Sequence, residues 1–166
     1  MLTRTVALAA CVAAAPLVAL AQSALPRPVE AQALQELNAW SVSAMSRNEG
    51  ALAPDLWSRS DPAFLAAAFD KLPAVYDSAA TQALARRVLF TGGEAPRGEA
   101  QAAARKRFEA IGRMGAADQL AMLVAGAGSS ASDPIIAQYG AQAELARGQR
   151  NAACARGRSA SVGDPA

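Results

Sequence analysis

The chain of 166 residues has no histidine, two cysteines, two tryptophans, two tyrosines and four phenylalanines, and only 18% of it is charged. Without imidazole there is no Ser–His–Asp triad, no histidine base and no His-ligated metal. β-Branched residues are also scarce. After Ala21 they are confined to Val29, Val42, Val75, Val88, Val124, Val162, Ile111, Ile135, Ile136, Thr81 and Thr91. That is too few, too scattered and without the period-two alternation that a sheet requires. No G-x-S-x-G, S-x-x-K, P-loop or G-x-G-x-x-G motif is present, and Gly126–Ala127–Gly128 lacks the strand and the lysine of a phosphate cradle. A net charge of +2 excludes a strongly basic or acidic chain, and there is no Gly-X-Y period or polar tract. What is abundant is alanine, at 45 residues about half of the 52% hydrophobic total. Alanine is the strongest helix former, so the predicted fold class is all-α.

The N-terminus has the parts of a secretory signal peptide. Arg4 supplies a charged start, Thr5–Leu20 an uncharged and mostly apolar run, and Ala19–Leu20–Ala21 an A-x-A exit. Cleavage is expected after Ala21, with residues 1–21 as signal and 22–28, containing Pro26 and Pro28, as leader. Pro16 interrupts a run already short of the roughly 20 apolar residues needed to span a bilayer. The alternative is a lipoprotein modified at Cys11, after Leu8–Ala9–Ala10, but the apolar stretch continues past that cysteine. The expected location is periplasmic or secreted. Removal of Cys11 leaves Cys154 alone, expected as a small buried apolar side chain and otherwise as a free thiol or an intermolecular disulfide. Fourteen arginines against two lysines, with the alanine excess, suggest a GC-rich bacterial genome.

Punctuation divides residues 29–156 into a single helical domain. Leu34, Leu37, Trp40 or Ser41, and Ala44 predict a first helix over 29–45, ended near Gly50. Ser60–Asp61–Pro62 is a cap-plus-proline start for a second helix carrying Phe64, Leu65, Phe69 and Leu72 inward and stopped by Pro73. Asp77–Ser78 opens a third helix that closes at Thr91–Gly92–Gly93. A fourth is expected over about 99–114, a fifth over 116–125, then a flexible loop over 126–132. Asp133–Pro134 repeats the capped start for a sixth helix reaching Gly148. A seventh beginning at Asn151 has little length left, and 157–166 reads as a disordered tail.

Candidate chemistry is sparse. Asp55, Asp61, Asp70 and Asp77 are spaced so that no pair shares a helix face in adjacent turns. Asp61 and Asp77 are read as caps and Asp70 as a solvated position. No catalytic residue, cofactor or metal site is assigned. Seven basic residues against three acidic ones between 86 and 113 form the densest positive region. There Arg86, Arg87, Arg105 and Arg107 are candidate contacts for a partner or an anionic cell-envelope polymer or lipid. The plainer reading of Arg105–Lys106–Arg107 is a solvated helix face. Trp57, off any helix stripe, is read as a staple between hairpins or as a partner anchor. Nucleic acid is not expected, because no aromatic residues interleave with the basic ones.

The block Arg113–Leu120 aligns with Ala146–Ala153, placing Gly115 and Gly148 33 residues apart. This resembles the tetratricopeptide (TPR) repeat, whose period is 34 and whose paired helices meet at a tight turn. Leu120 stands where that family prefers alanine, Pro134 comes two positions late, and Gln82 replaces the glycine expected upstream. The segments LWSRSDPAFL over 56–65 and RRVLFTGG over 86–93 also resemble exported helical proteins of α-proteobacteria. The resemblance implies a TPR-like array of short antiparallel hairpins, or α-solenoid, with an irregular helical bundle as alternative. The expected function is an exported, non-catalytic module that binds a protein partner. The alternatives are an accessory or catalytic component of peptidoglycan metabolism, or a truncated form of a longer helical protein.

Overall fold

A computed structural model describes residues 36–161. The signal segment, the cleavage point at Ala21, Cys11 and the leader lie outside the described residues. Six α-helices and no strand occur among the described residues: α1 (Pro62–Asp70), α2 (Ala79–Phe90), α3 (Gln101–Arg113), α4 (Ala117–Gly126), α5 (Pro134–Ala146) and α6 (Arg150–Ser161). The all-α class therefore stands, while two predicted boundaries need correction.

Where the first helix was expected, residues 36–58 contain no α-helix. Asn38 diverts the chain: its side-chain oxygen accepts from the amides of Trp40 (2.8 Å) and Ser41 (3.1 Å), and the Ser41 hydroxyl oxygen accepts from the Asn38 amide (2.9 Å). These local bonds take the donors that a helix would use. They also turn Ala39 and Trp40 into the core, where both are buried. A single 3-10 turn, Arg47–Glu49, follows, with Ser46 and Glu49 forming a capping box. The segment from 38 to 58 thus runs as an irregular strap.

At the other end, α6 begins at Arg150 and continues for 12 residues. Residues 157–161 are therefore helical rather than tail, and 162–166 lie outside the described residues. Cys154 is exposed on this helix, not buried. The loop expected over 126–132 contains the 3-10 turn Gly128–Ser132, with Ala127 buried before it.

The capped starts form as their chemistry requires. Asp61 accepts from the Phe64 amide at 2.8 Å, with Pro62 in the first turn of α1. Asp133 does the same for α5, accepting from the amides of Ile135 (3.0 Å) and Ile136 (3.2 Å). Ser78 precedes α2 but makes no side-chain cap bond. Gly115 and Gly148 both take the left-handed conformation, at φ 70° and 76°, in the turns between α3 and α4 and between α5 and α6. Only glycine occupies that region without strain.

The core gathers on α3, α4 and α5. Phe108, Ile111, Leu123, Val124 and Ile136 are fully enclosed, and Ala103, Ala104, Ala110, Ala121 and Ala137 allow close helix approach. α5 packs against α3, α4 and α6, and α1 packs against α3, whereas α2 touches α3 only lightly. Phe64, expected to point inward, is 69% exposed, and Leu84 on α2 is 55% exposed.

Candidate functional site

Arg107 occupies the centre of the N-terminal half. It lies on the apolar stripe of α3, four residues before Ile111 and three after Ala104, and has no solvent exposure. Its Nε donates to the Leu89 carbonyl (2.9 Å), one terminal nitrogen to Ala39 (2.8 Å) and the other to Thr91 (2.9 Å). The guanidinium carbon sits 5.7 Å from the Trp40 ring centre and 5.8 Å from that of Trp57, within cation–π range. No carboxylate is paired with it among the described residues. Two of its three carbonyls belong to the C-terminal end of α2, which carries partial negative charge. Burial pushes the guanidinium down to about 10, still cationic at neutral pH.

Around this charge the strap is sewn to the exit of α2. The Trp57 indole N–H donates to the Thr91 carbonyl (3.3 Å), and the Thr91 hydroxyl accepts from the Leu52 amide (2.9 Å) while donating to the Arg87 carbonyl (2.6 Å). The Ala44 amide donates to Phe90 (2.9 Å), Gly93 to Trp40 (2.8 Å) and Glu94 to Pro54 (2.7 Å). Trp40, Trp57 and Phe69 form a cluster with ring centres 5.6 to 6.5 Å apart. A Cβ on Gly92 would collide with the Val42 backbone carbonyl.

The interior positions of Trp57 and Arg107 remove both from the surface that a partner would touch. Trp57 is 3% exposed and staples the strap to Thr91. The solvated-face reading of Arg105–Lys106–Arg107 holds for its first two residues and fails for the third. The signal for Arg107 was present in the spacing, since it falls on the same stripe as Ala104, Phe108 and Ile111.

The other arginines divide into engaged and free. Arg113 caps the end of α1 through the carbonyls of Phe69 (2.8 Å), Asp70 (3.2 Å) and Leu72 (3.4 Å). Arg87 donates to the Gly50 carbonyl (2.7 Å), and Arg86 lies over the Phe90 ring at 5.2 Å. Arg105 pairs with Asp133 at 2.7 Å. Burial pushes the Asp133 carboxyl up, but bonds from Arg105, Gln101 and the Ile136 amide outweigh it and leave the group below its usual range. The Lys106 ammonium, 2.6 Å away, holds Asp70 low, and Asp70 in turn raises Lys106. The four sequence-predicted arginines are thus not brought to one site, and three of them serve internal contacts with backbone or carboxylate.

Arg59 and Arg97 have no hydrogen-bond or ion-pair partner among the described residues. They converge, with Ser58, Ser60, Asp61 and Pro62, on a cleft of about 510 Å³ before α1. Arg97 is one of the seven basic residues between 86 and 113, and nothing in its spacing of 38 positions from Arg59 brings the two together. Among the described residues there is no group of three or more metal-ligating side chains, and no helix is long and apolar enough to cross a membrane. Comparison with protein-family models, curated proteins and solved structures finds no match.

Proposed function

We infer that this chain is an exported helical-hairpin module, TPR-like in its two glycine turns, that binds a protein partner through α2 and the elements beside it. The observation carrying this reading is the first half of α2. Every residue from Ala79 to Leu84 is exposed, and none is charged. A helix turned to water on all sides ordinarily carries charge around its circumference, and an apolar one is ordinarily covered. Phe64 on α1 and Val75 in the following loop, 69% and 81% exposed, add large apolar side chains on the two preceding elements. The C-terminal end of α2 is fixed by Arg107 and Thr91, so its uncharged half is presented from a rigid base. The reading is tested with a photo-crosslinking residue placed at Leu84 or, as control, at Gln149 in the full chain expressed in a bacterial envelope. A discrete protein adduct at Leu84, absent at Gln149, is expected. Equal adducts at both positions, or none at Leu84, would reject it.

A further inference from the structure

The cleft before α1 has a chemistry that the α2 surface does not. Two arginines from separate segments line it, Arg59 just past the strap and Arg97 from the loop after α2. The segments are held in register by the bond from the Glu94 amide to the Pro54 carbonyl (2.7 Å). Each guanidinium offers five N–H donors in a planar fork suited to a carboxylate. Neither is spent on another group among the described residues, unlike Arg87, Arg105, Arg107, Arg113 and Arg147. The helix end adds nothing here, since Asp61 already occupies it by accepting from the Phe64 amide.

Charge around the cleft restricts what it takes. Asp61 lines it, and Asp55, Glu94 and Glu99 lie on the same two segments. A membrane surface or a polyanion would meet these carboxylates as well as the arginines. A single carboxylate placed between Arg59 and Arg97 would meet only Asp61 among them, since Asp55, Glu94 and Glu99 do not line the cleft. Phe64, mostly exposed, stands in the first turn of α1 two residues past Pro62, which lines the cleft.

We propose that the Arg59–Arg97 cleft captures the C-terminal carboxylate of a peptide ending in an apolar residue, whose side chain lies on Phe64. This rests on the reading of the chain as a protein-binding module and names the part of the partner it recognises. A chain end supplies one charge with an apolar side chain one bond away, and capture of terminal carboxylates is a recurrent mode of peptide recognition. The volume of about 510 Å³ falls within the roughly 300–1,000 Å³ of ligand-sized sites.

The test is fluorescence anisotropy of the full chain with an N-terminally labelled peptide, Gly-Gly-Ala-Leu-Phe, as free acid and as C-terminal amide. The acid is expected to bind roughly tenfold or more tightly than the amide, the scale of one charge-assisted hydrogen bond. Arg59→Gln and Arg97→Gln should each abolish that preference with far-UV circular dichroism unchanged. Should either unfold, Arg59→Lys and Arg97→Lys keep the charge, and a weakened preference in the folded protein is the expected result. Equal binding of acid and amide, no binding of the acid, a preference unaffected by both substitutions, or displacement of the acid by inorganic phosphate more readily than by acetate would overturn the proposal. Adducts at Leu84 that persist in the Arg59→Gln variant would then leave the broader binding role standing while removing the cleft from it. Conversely, acid preference without adducts at Leu84 would keep the cleft and remove the α2 surface.

Discussion

The two halves of this protein are held together by different means. In the N-terminal half, an irregular strap and two short helices are tied by polar groups reaching across to backbone: Arg107 to three carbonyls, Arg113 to three more, Thr91 to two segments. In the C-terminal half, α4, α5 and α6 pack through alanine, glycine and branched apolar side chains. Their ion pairs are made between side chains: Arg147 reaches the exposed Asp118 and the buried Glu144, which also meets Arg156. The glycines mark the contrast. A Cβ at Gly92 or Gly93 would strike backbone, whereas one at Gly140 would meet the side chain of Val124, 2.8 Å away. Backbone fixed from both sides does not yield, and a side chain can rotate.

Removing the polar centre breaks the comparison most severely. Arg107→Met leaves the carbonyls of Ala39 and Leu89 buried without their donor and that of Thr91 with only the Trp57 indole, and a loss of about 3–5 kcal/mol is expected in urea unfolding. A variant within about 1 kcal/mol of the parent would mean that the guanidinium is dispensable to the strap. Gly92→Ala should cost about 1–3 kcal/mol through overpacking. Gly140→Ala should cost about 1 kcal/mol or less, since removing glycine from a helix interior recovers roughly 0.5–1 kcal/mol. Equal losses at the two glycines would erase the proposed difference between backbone and side-chain neighbours.

An effect as small as that at Gly140 concerns the cap of α5. Asp133→Ala should cost about 1 kcal/mol at neutral pH. Because the folded Asp133 carboxyl lies below its ordinary 3.8, its contribution is full above that value and is lost as pH falls through the lower folded one. The parent should therefore lose this part of its stability only below about pH 4, and the acid limb of the variant's stability curve should be shallower in that range. Parallel curves for parent and variant would show that Asp133 is not the group responsible.

The C-terminal half was the more legible in sequence, because its signals are local. Asp133–Pro134, Gly115 and Gly148 each act within one turn of chain. The N-terminal half depends on partners far away in sequence. The 3.6-residue spacing of Leu34, Leu37 and Trp40 suggested a helix, but Asn38 and Ser41 outcompete it locally and Trp40 is drawn toward Arg107. That arginine was hidden by its neighbours: Arg105 and Lys106 are outward-facing, and a run of three cations reads as a solvated face unless the apolar stripe is followed through it. Of the cleft only the Asp61–Pro62 start was visible, since Arg59 and Arg97 stand 38 positions apart and share it only because the strap is bonded to the segment after α2.

Arg107 and Ala39 stand 68 residues apart in the chain, whereas Arg156 and Glu144, which join α6 to α5, are 12 apart. Closing the longer loop costs about 1.5 kcal/mol more in chain entropy than closing the shorter one, by the logarithmic dependence of closure on length. The α5–α6 hairpin can therefore zip early from neighbouring turns. The strap must wait for α2 and α3 to present its anchor, and until it docks, a cation stands at the open centre of an apolar cluster. By this entropy difference, the contacts that enclose Arg107 are expected to close after those that enclose Glu144.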